Sequence, residues 1–182
     1  MLAIASVFAS LFLAATANPV ARAACNPDLA GQLISIGSGS FEIGYGSSVV
    51  GAPIVTHALA PLTAEWVAEI PSNHLGFLLA DFNGPNPQLY TTNANGVSVG
   101  NLTLQNLISP PDSGVQTWGF VCTTCNAPGS VSHGGVIASS CNVVTGSSGK
   151  CLQIGSTVGA AATVQTCTDL PTGPQKFSVY LA

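Results

Sequence analysis

Charged residues are scarce in this chain. Its 182 residues include three Lys and Arg and seven Asp and Glu, so that charged residues make up 5% of the sequence. A protein that binds nucleic acid needs several cations to displace phosphate counterions, and this composition excludes that class. Binding to an anionic membrane is disfavoured for the same reason. A surface that depends on Ser, Thr, Asn, Gln and backbone groups suits a neutral, hydroxyl-rich partner, or an extracellular surface with no discrete ligand.

Helical patterning is also missing. No stretch keeps a 3.6-residue period, and Gly, Pro, Ser, Asn and Thr interrupt the chain about every 8–12 residues, which is typical of short strands in an all-β fold. Alternation of apolar residues is clear locally. It places Trp118 and Phe120 on one face of a strand, and Phe177 and Val179 on one face of another.

The chain has one long apolar run, from Leu2 to Ala17, which is shorter than the roughly 20 residues that a membrane-spanning helix needs. The run ends in a small-x-small triplet at Ala17, and a second such triplet ends at Ala23. This pattern predicts a secretory signal peptide over residues 1–23, cleaved after residue 17 or residue 23. We therefore expect a secreted, extracellular protein with a single domain over residues 24–182, and a membrane anchor is the weaker alternative.

Six cysteines lie after this segment. An even number of cysteines in a chain that enters an oxidising compartment predicts disulfide bonds. Zinc binding by Cys122 and Cys125 is the competing interpretation, but no second Cys pair or His pair follows at ligand spacing. We expect no metal and no cofactor.

Three aromatic residues mark a repeat. Trp118 follows Trp66 by 52 residues, and Phe177 follows Trp118 by 59. Each is preceded by a turn-rich stretch and, before that, by two strands about a glycine turn. Repetition near 50 residues indicates units that cannot bury their apolar faces alone, and three such units can close a sheet and remove its edges.

The residues around these aromatics resemble those of a known family. The segments "CLQIG", "VQTC" and "GPQKF" in the third repeat, and "GVQTWGF" with Gln116 and Trp118 in the second, are similar to ricin B-type lectin repeats, of the kind found among small fungal extracellular proteins. The resemblance covers most of the chain after residue 23. It is faint in the first repeat, where Ala64 replaces Gln. It implies a β-trefoil of six hairpins, three forming a barrel and three capping it, with Trp66, Trp118 and Phe177 in the core.

The resemblance also implies a disulfide within the third repeat, Cys151–Cys167. The other four cysteines allow three connectivities. We favour Cys125–Cys141 and Cys25–Cys122, because closure of a trefoil brings the N-terminal segment near the later repeats.

A sugar site in this family needs a carboxylate for the sugar hydroxyls and a ring beneath the apolar sugar face, with an Asn beside them. The resemblance assigns these three positions to Gln153, Gln165 and Thr168 in the third repeat, to Thr91, Gln105 and Ile108 in the second, and to Glu42, His57 and Ala60 in the first. The first repeat is the least altered, since Glu42 keeps the charge and His57 keeps a flat ring. The candidate carbohydrate-binding residues are Glu42, His57, Gln153 and Gln165.

Other signals are weaker. The segment 80–90 holds residue types suited to a rebuilt sugar pocket, namely Asp81, Phe82, Asn83 and Tyr90. Asn101 begins an Asn-Leu-Thr glycosylation sequon. The Ser-rich segments 37–40 and 145–150 lack the Gly-x-Ser-x-Gly pattern of a nucleophile elbow, and the chain lacks the helical patterning that the strand-to-helix turn of such an elbow requires. Glu65 and Glu69 are the acids closest in sequence, and we expect both to face solvent.

These patterns predict a secreted, non-catalytic, lectin-like protein with degenerate sugar sites, whose partners are glycans or glycoconjugates. Two alternatives stay open because a fold does not fix a function. One is a β-trefoil protease inhibitor that presents a proline-braced loop to a protease, with residues 83–88 and 109–114 as the candidate loops. The other is a structural protein of the secreted or cell-surface type without a discrete ligand.

Overall fold

A computed structural model describes residues 24–71, 76–84, 88–93, 100–108 and 114–182. The predicted signal peptide lies outside the described residues, as do residues 85–87 and 109–113 of the two proline-rich loops. The described part of the chain consists of short β-strands and loops, with one 3-10 turn at Pro128–Ser130. Within these ranges, no helix is long and apolar enough to cross a membrane.

Fourteen strands make up one continuous sheet in the described ranges. In chain order they are β1 (Leu33–Ser38), β2 (Phe41–Tyr45), β3 (Ile54–Ala58), β4 (Trp66–Glu69), β5 (Phe77–Asp81), β6 (Tyr90–Thr92), β7 (Gly100–Asn101), β8 (Thr103–Gln105), β9 (Thr117–Val121), β10 (Thr124–Cys125), β11 (Val136–Thr145), β12 (Cys151–Gln153), β13 (Thr163–Gln165) and β14 (Phe177–Leu181).

Six of these strands close into a barrel. Strand β1 pairs with β4, β4 with β5, β5 with β9, β9 with β11, β11 with β14, and β14 with β1 again, and every pair is antiparallel. Closure removes the free edges that such short strands would otherwise expose. The all-β class predicted from the sequence is confirmed, and so is the closing of the sheet.

Three hairpins, β2–β3, β6–β8 and β12–β13, branch from the barrel, one in each sequence repeat. The residues at or just before the start of each hairpin's second strand form a ring of backbone hydrogen bonds. The Ile54 amide donates to the Leu102 carbonyl (2.9 Å), the Leu102 amide to Ala162 (3.3 Å), and the Ala162 amide back to Ile54 (2.9 Å). All three residues are fully buried. The hairpins are therefore related by an approximate threefold arrangement, as the repeat spacing predicts.

The three marker aromatics, Trp66, Trp118 and Phe177, fill the core and are at most 1% exposed. Both indoles also bond to the hairpin of their own repeat. Trp66 Nε1 donates to the Ile43 carbonyl (3.1 Å), and Trp118 Nε1 donates to the Thr91 carbonyl (3.2 Å). Because a buried indole N–H needs an acceptor, these bonds join hairpin and barrel at a fixed point.

Three disulfides stabilise the fold: Cys25–Cys125, Cys122–Cys141 and Cys151–Cys167. The last is the pair implied by the family resemblance. The other two differ from the predicted pairs, Cys125–Cys141 and Cys25–Cys122, which are wrong.

Strand register explains one of these differences. Val121 at the end of β9 lies opposite Asn142 in β11, so the next antiparallel pair along brings Cys122 opposite Cys141. Both cysteine side chains face the core and are almost fully buried.

The N-terminal segment does reach the later repeats. The Cys25 amide donates to the Cys122 carbonyl (2.8 Å), and the Cys122 amide donates back to Cys25 (2.9 Å). The Cys122 sulfur is already bonded to Cys141 in the core. The Cys25 sulfur therefore bonds to Cys125, in the edge strand β10.

Candidate functional site

The Gln of each Gln-x-aromatic motif joins the end of a hairpin to the barrel. Gln116 is fully buried. Its Oε1 accepts a hydrogen bond from the Ile108 amide (2.8 Å), and its Nε2 donates to Thr92 Oγ1 (2.8 Å) and to the Asn106 carbonyl (2.9 Å). The motif is therefore a structural element in the second repeat.

Gln175 does the same in the third repeat. Its Oε1 accepts from the Thr168 amide (2.8 Å), while its Nε2 donates to Gln153 Oε1 (3.2 Å) and to the Thr166 carbonyl (3.0 Å). Gln153, a predicted sugar contact, is thus already bonded within its own repeat. Gln165, the other predicted contact there, donates to Thr163 Oγ1 (3.3 Å).

Cross-strand pairing shows which residues of the second and third repeats correspond. Gln153 lies opposite Thr163, and Thr92 lies opposite Thr103. Thr163 accepts a hydrogen bond from Gln165, and Thr103 accepts the equivalent bond from Gln105. Thr92 is therefore the equivalent of Gln153, one residue beyond the predicted Thr91.

The first repeat differs more from the prediction. The two indole bonds match Ile43 with Thr91, so the residues that follow them, Gly44 and Thr92, also match. Glu42 lies two residues before this position, and its predicted equivalence to Gln153 is wrong. The position that the resemblance assigns to a sugar-binding carboxylate holds a glycine in the first repeat.

A carboxylate nevertheless reaches this place, from another strand. A Cβ atom built on Gly44 would lie 3.2 Å from Glu65 Cδ and Oε2, and 3.2 Å from His57 Cε1. The absence of a side chain at Gly44 is what allows Glu65 and His57 to meet there. Both side chains are partly exposed, so both are open to a ligand.

Glu42 is a buried neighbour of this pair of side chains. It is opposite His57 in the β2–β3 ladder, it is 1% exposed, and its Oε2 accepts a hydrogen bond from Ser35 Oγ. Burial and the negative charge of Glu42 together raise the pKa of the Glu65 carboxyl to about 7. We call Gly44, His57 and Glu65, together with the buried Glu42, the first-repeat site.

Sequence reasoning missed Glu65, which was expected to face solvent beside Glu69. The signal that could have found it is its place immediately before Trp66. Because the Trp66 indole bonds to Ile43, the preceding residue lies beside the hairpin strand that holds Gly44. Separately, Glu69 accepts a hydrogen bond from the Tyr90 hydroxyl (3.2 Å).

The off-pattern segment 80–90 is built around a buried acid. Asp81 is fully buried, accepts a hydrogen bond from the Leu89 amide (2.8 Å), and accepts another from Ser48 Oγ. Gly84 leaves room for this carboxylate, since a Cβ there would overlap it. Asp81 therefore orders the loop, and of the four predicted residues only Phe82 and Asn83 are exposed.

The sequon residue Asn101 is exposed, while its neighbour Leu102 is fully buried. Among the described residues, no group of three potential metal ligands lies close together. Cys122 and Cys125 are both in disulfides, so neither offers a thiolate.

No protein-family model matches the chain, and no curated protein matches its sequence. Among solved structures, the chain is similar to a mosquitocidal holotoxin, with a TM-score of 0.58 and 13% sequence identity. The match covers 82% of this chain and 17% of the toxin chain, so this chain spans less than a fifth of that protein's length. At this identity the similarity shows a shared fold alone.

Proposed function

We propose that this chain is a secreted β-trefoil of the ricin B-type lectin kind, and that it binds carbohydrate without catalysing a reaction. The closed barrel, the three hairpins and their hydrogen-bonded ring support the trefoil assignment. The matching bonds of Gln116 and Gln175 support the family likeness, because they give the Gln-x-aromatic motif one structural role in two repeats.

The observation that carries the binding proposal is the meeting of Glu65 and His57 over Gly44. A carboxyl group whose pKa is near 7 is present in both protonation states at neutral pH, so it can donate to or accept from a sugar hydroxyl. The His57 ring supplies a flat surface and a second polar group. Glu42, which is buried, tunes Glu65 rather than touching the sugar.

The third-repeat residues Gln153 and Gln165 remain a second candidate site, with weaker binding. Their amides are bonded to Gln175 and Thr163, so a sugar would have to compete with those bonds. Secretion is supported by the three disulfides, which are typical of oxidising compartments. Use of the Asn101 sequon is part of the same proposal, and exposure of that side chain permits it.

The test is a glycan array probed with the purified chain from residue 24 onwards. We expect binding to neutral glycans, and we expect His57→Ala and Glu65→Gln each to weaken it by about tenfold, the loss of one or two hydrogen bonds. Gln165→Ala is the matched control, since Gln165 occupies in β13 the position that His57 occupies in β3.

Two outcomes would contradict the proposal. Absence of binding to every glycan would remove the lectin function and favour the protease-inhibitor alternative, which depends on loops whose centres lie outside the described residues. A loss of binding in Gln165→Ala equal to that in His57→Ala would contradict the assignment of the stronger site to the first repeat.

A further inference from the structure

A pocket lies between the third and first repeats and shares no lining residue with the first-repeat site. It has a volume of about 370 Å³ and is formed by the β1–β2 turn, the middle of β11 and the loop before β14. Four hydroxyl side chains line it: Ser38, Ser140, Thr172 and Ser178. This volume lies in the range of sites that hold small molecules.

The backbone of this pocket is unusual at Ser140. Ser140 has a φ of 51°, and among the described residues it is the one non-glycine with a positive φ. It lies where the register of β11 against β14 shifts, between Ala138 and Cys141. Such a bulge changes the direction of a side chain. The strained backbone costs free energy, and it persists because the surrounding structure holds it in place.

The opposite rim is held in place by a hydrogen bond. Ser38 Oγ donates to the Gly173 carbonyl (3.1 Å), across 135 residues of sequence. Gly173 has a φ of 127°, a backbone angle that residues other than glycine rarely adopt. The pocket is thus bounded by a fixed turn on one side and a fixed bulge on the other.

Lys176 gives the pocket a charge. It is one of two cationic side chains in the described ranges, the other being Lys150, which donates to Thr166 Oγ1 (3.5 Å). The Lys176 ammonium has no ion-pair or hydrogen-bond partner among the residues that the structure describes, and no acidic residue lines the pocket. A lysine and several hydroxyl side chains that line one pocket can together bind a ligand that carries a carboxylate.

We propose that this pocket binds the carboxylate of an acidic sugar, with Lys176 contacting the carboxylate and the serine and threonine hydroxyls contacting the sugar hydroxyls. A free inorganic anion would use the ammonium and leave most of the hydroxyls without a role. The inference does not depend on the first-repeat site, which carries the opposite charge and uses different residues.

The test is a calorimetric titration of the chain from residue 24 onwards with sodium glucuronate, methyl glucoside and sodium sulfate in turn. Glucuronate should bind more tightly than either of the others. Lys176→Gln should weaken glucuronate binding about tenfold or more, the usual effect of losing a charge-assisted hydrogen bond. Lys150→Gln, which makes the same change of charge elsewhere, should change it by less than about twofold.

A second variant tests the hydroxyls. Ser140→Ala replaces one non-glycine residue with another at this positive φ and removes one hydroxyl. It should therefore weaken glucuronate binding and leave sulfate binding unchanged. In amide NMR spectra of the unaltered chain, glucuronate should shift the signals of Gly39 and Gly173, which needs no variant to fold.

The proposal is overturned if Lys150→Gln weakens glucuronate as much as Lys176→Gln does, or if Gly39 and Gly173 do not respond. Sulfate binding as tight as glucuronate binding would also overturn it, since the site would then recognise an anion only.

Discussion

The first and third repeats share one backbone arrangement but use it differently. The differences fall at four matched positions, where the first repeat has Gly44, His57, Ala64 and Glu65 and the third has Gln153, Gln165, Gln175 and Lys176. In the third repeat the three Gln side chains bond to one another or to neighbouring threonines and backbone groups. In the first repeat the same positions leave room for a carboxyl group and an imidazole.

This contrast separates two roles of a repeat. A repeat that keeps its Gln uses it to bond the backbone groups at the end of its hairpin and gains stability from those bonds. The first repeat has Ala64 in place of the Gln and lacks those bonds. Its Glu65 side chain lies in an environment that raises the pKa of the carboxyl. We infer that the third repeat stabilises the barrel and that the first repeat carries the site.

The largest effects should come from the disulfides, and the one that bears on the comparison of repeats is the third-repeat disulfide. Cys151 and Cys167 are 16 residues apart, and cross-linking a loop of this length stabilises a fold by about 3 kcal/mol in the chain-entropy account. Replacing both with Ala should lower the free energy of unfolding in urea by that amount. The first repeat has Glu42 where the third has Cys151, so it has no such link to lose.

Replacing Cys25 and Cys125 with Ala is the matched comparison for that prediction. These residues are 100 apart, so their loss should cost about 4–5 kcal/mol. An equal or smaller loss than for the third-repeat pair would contradict the chain-entropy account.

The next effect is that of the motif Gln. Gln175→Ala removes the acceptor of the Thr168 amide and a donor to the Thr166 carbonyl, so we expect a loss of about 2–3 kcal/mol in the free energy of unfolding. Gln165→Ala removes one partly exposed amide and should cost less than about 1 kcal/mol. Similar losses in the two variants would show that the motif Gln has no special structural role.

Glu65 should make stability depend on pH in the first repeat. Its pKa is about 7 in the folded chain and near 4.5 when unfolded, so folding favours the protonated form. The carboxyl therefore costs nothing below pH 4.5, and stability falls as pH rises from there to about 7. Because the side chain is partly exposed, the full cost above pH 7 is discounted to about 1–2 kcal/mol.

Glu65→Gln should remove that pH dependence. The variant should be more stable than the unaltered chain at about pH 8 and should differ little from it at about pH 4. Lys176→Gln is the control from the matched position of the third repeat, and it removes no carboxyl group. A gain for Glu65→Gln that is the same at both pH values would mean that the carboxyl is not perturbed by folding.

The smallest effect should follow from filling the gap at Gly44. Gly44→Ala places a methyl group 3.2 Å from both Glu65 and His57, so one of them must move by a few tenths of an ångström. We expect a change in stability of less than about 1 kcal/mol and a clear loss of glycan binding. Retained binding in a stable Gly44→Ala variant would mean that the ligand does not need Glu65 and His57 in contact.

Much of the fold could be predicted from the sequence because its signals are local. Strand alternation and turn residues gave the all-β class, and the spacing of Trp66, Trp118 and Phe177 gave three units. The disulfide pairing required the register of β9 against β11, which no local pattern encodes. That is why Cys122 was assigned to Cys25, its backbone partner, rather than to Cys141, which faces it in the core.

The candidate site could be predicted only in part. His57 was found because it lies in the hairpin that carries the family pattern. Glu42 was matched to the wrong position, since a shift of two residues in a strand keeps the side chain on the same face and leaves the alternation unchanged. Glu65 comes from a different strand, and its contact with the hairpin depends on the indole bond of Trp66.

The most direct test of the division between repeats is amide NMR of the isotopically labelled chain, titrated with methyl glycosides of glucose, galactose, mannose and N-acetylglucosamine. If the first repeat carries the site, at least one glycoside will shift the signals of Gly44, His57 and Glu65 and leave those of Gln153 and Gln165 in place. Shifts confined to Gln153 and Gln165, or no shifts with any glycoside, would contradict the account.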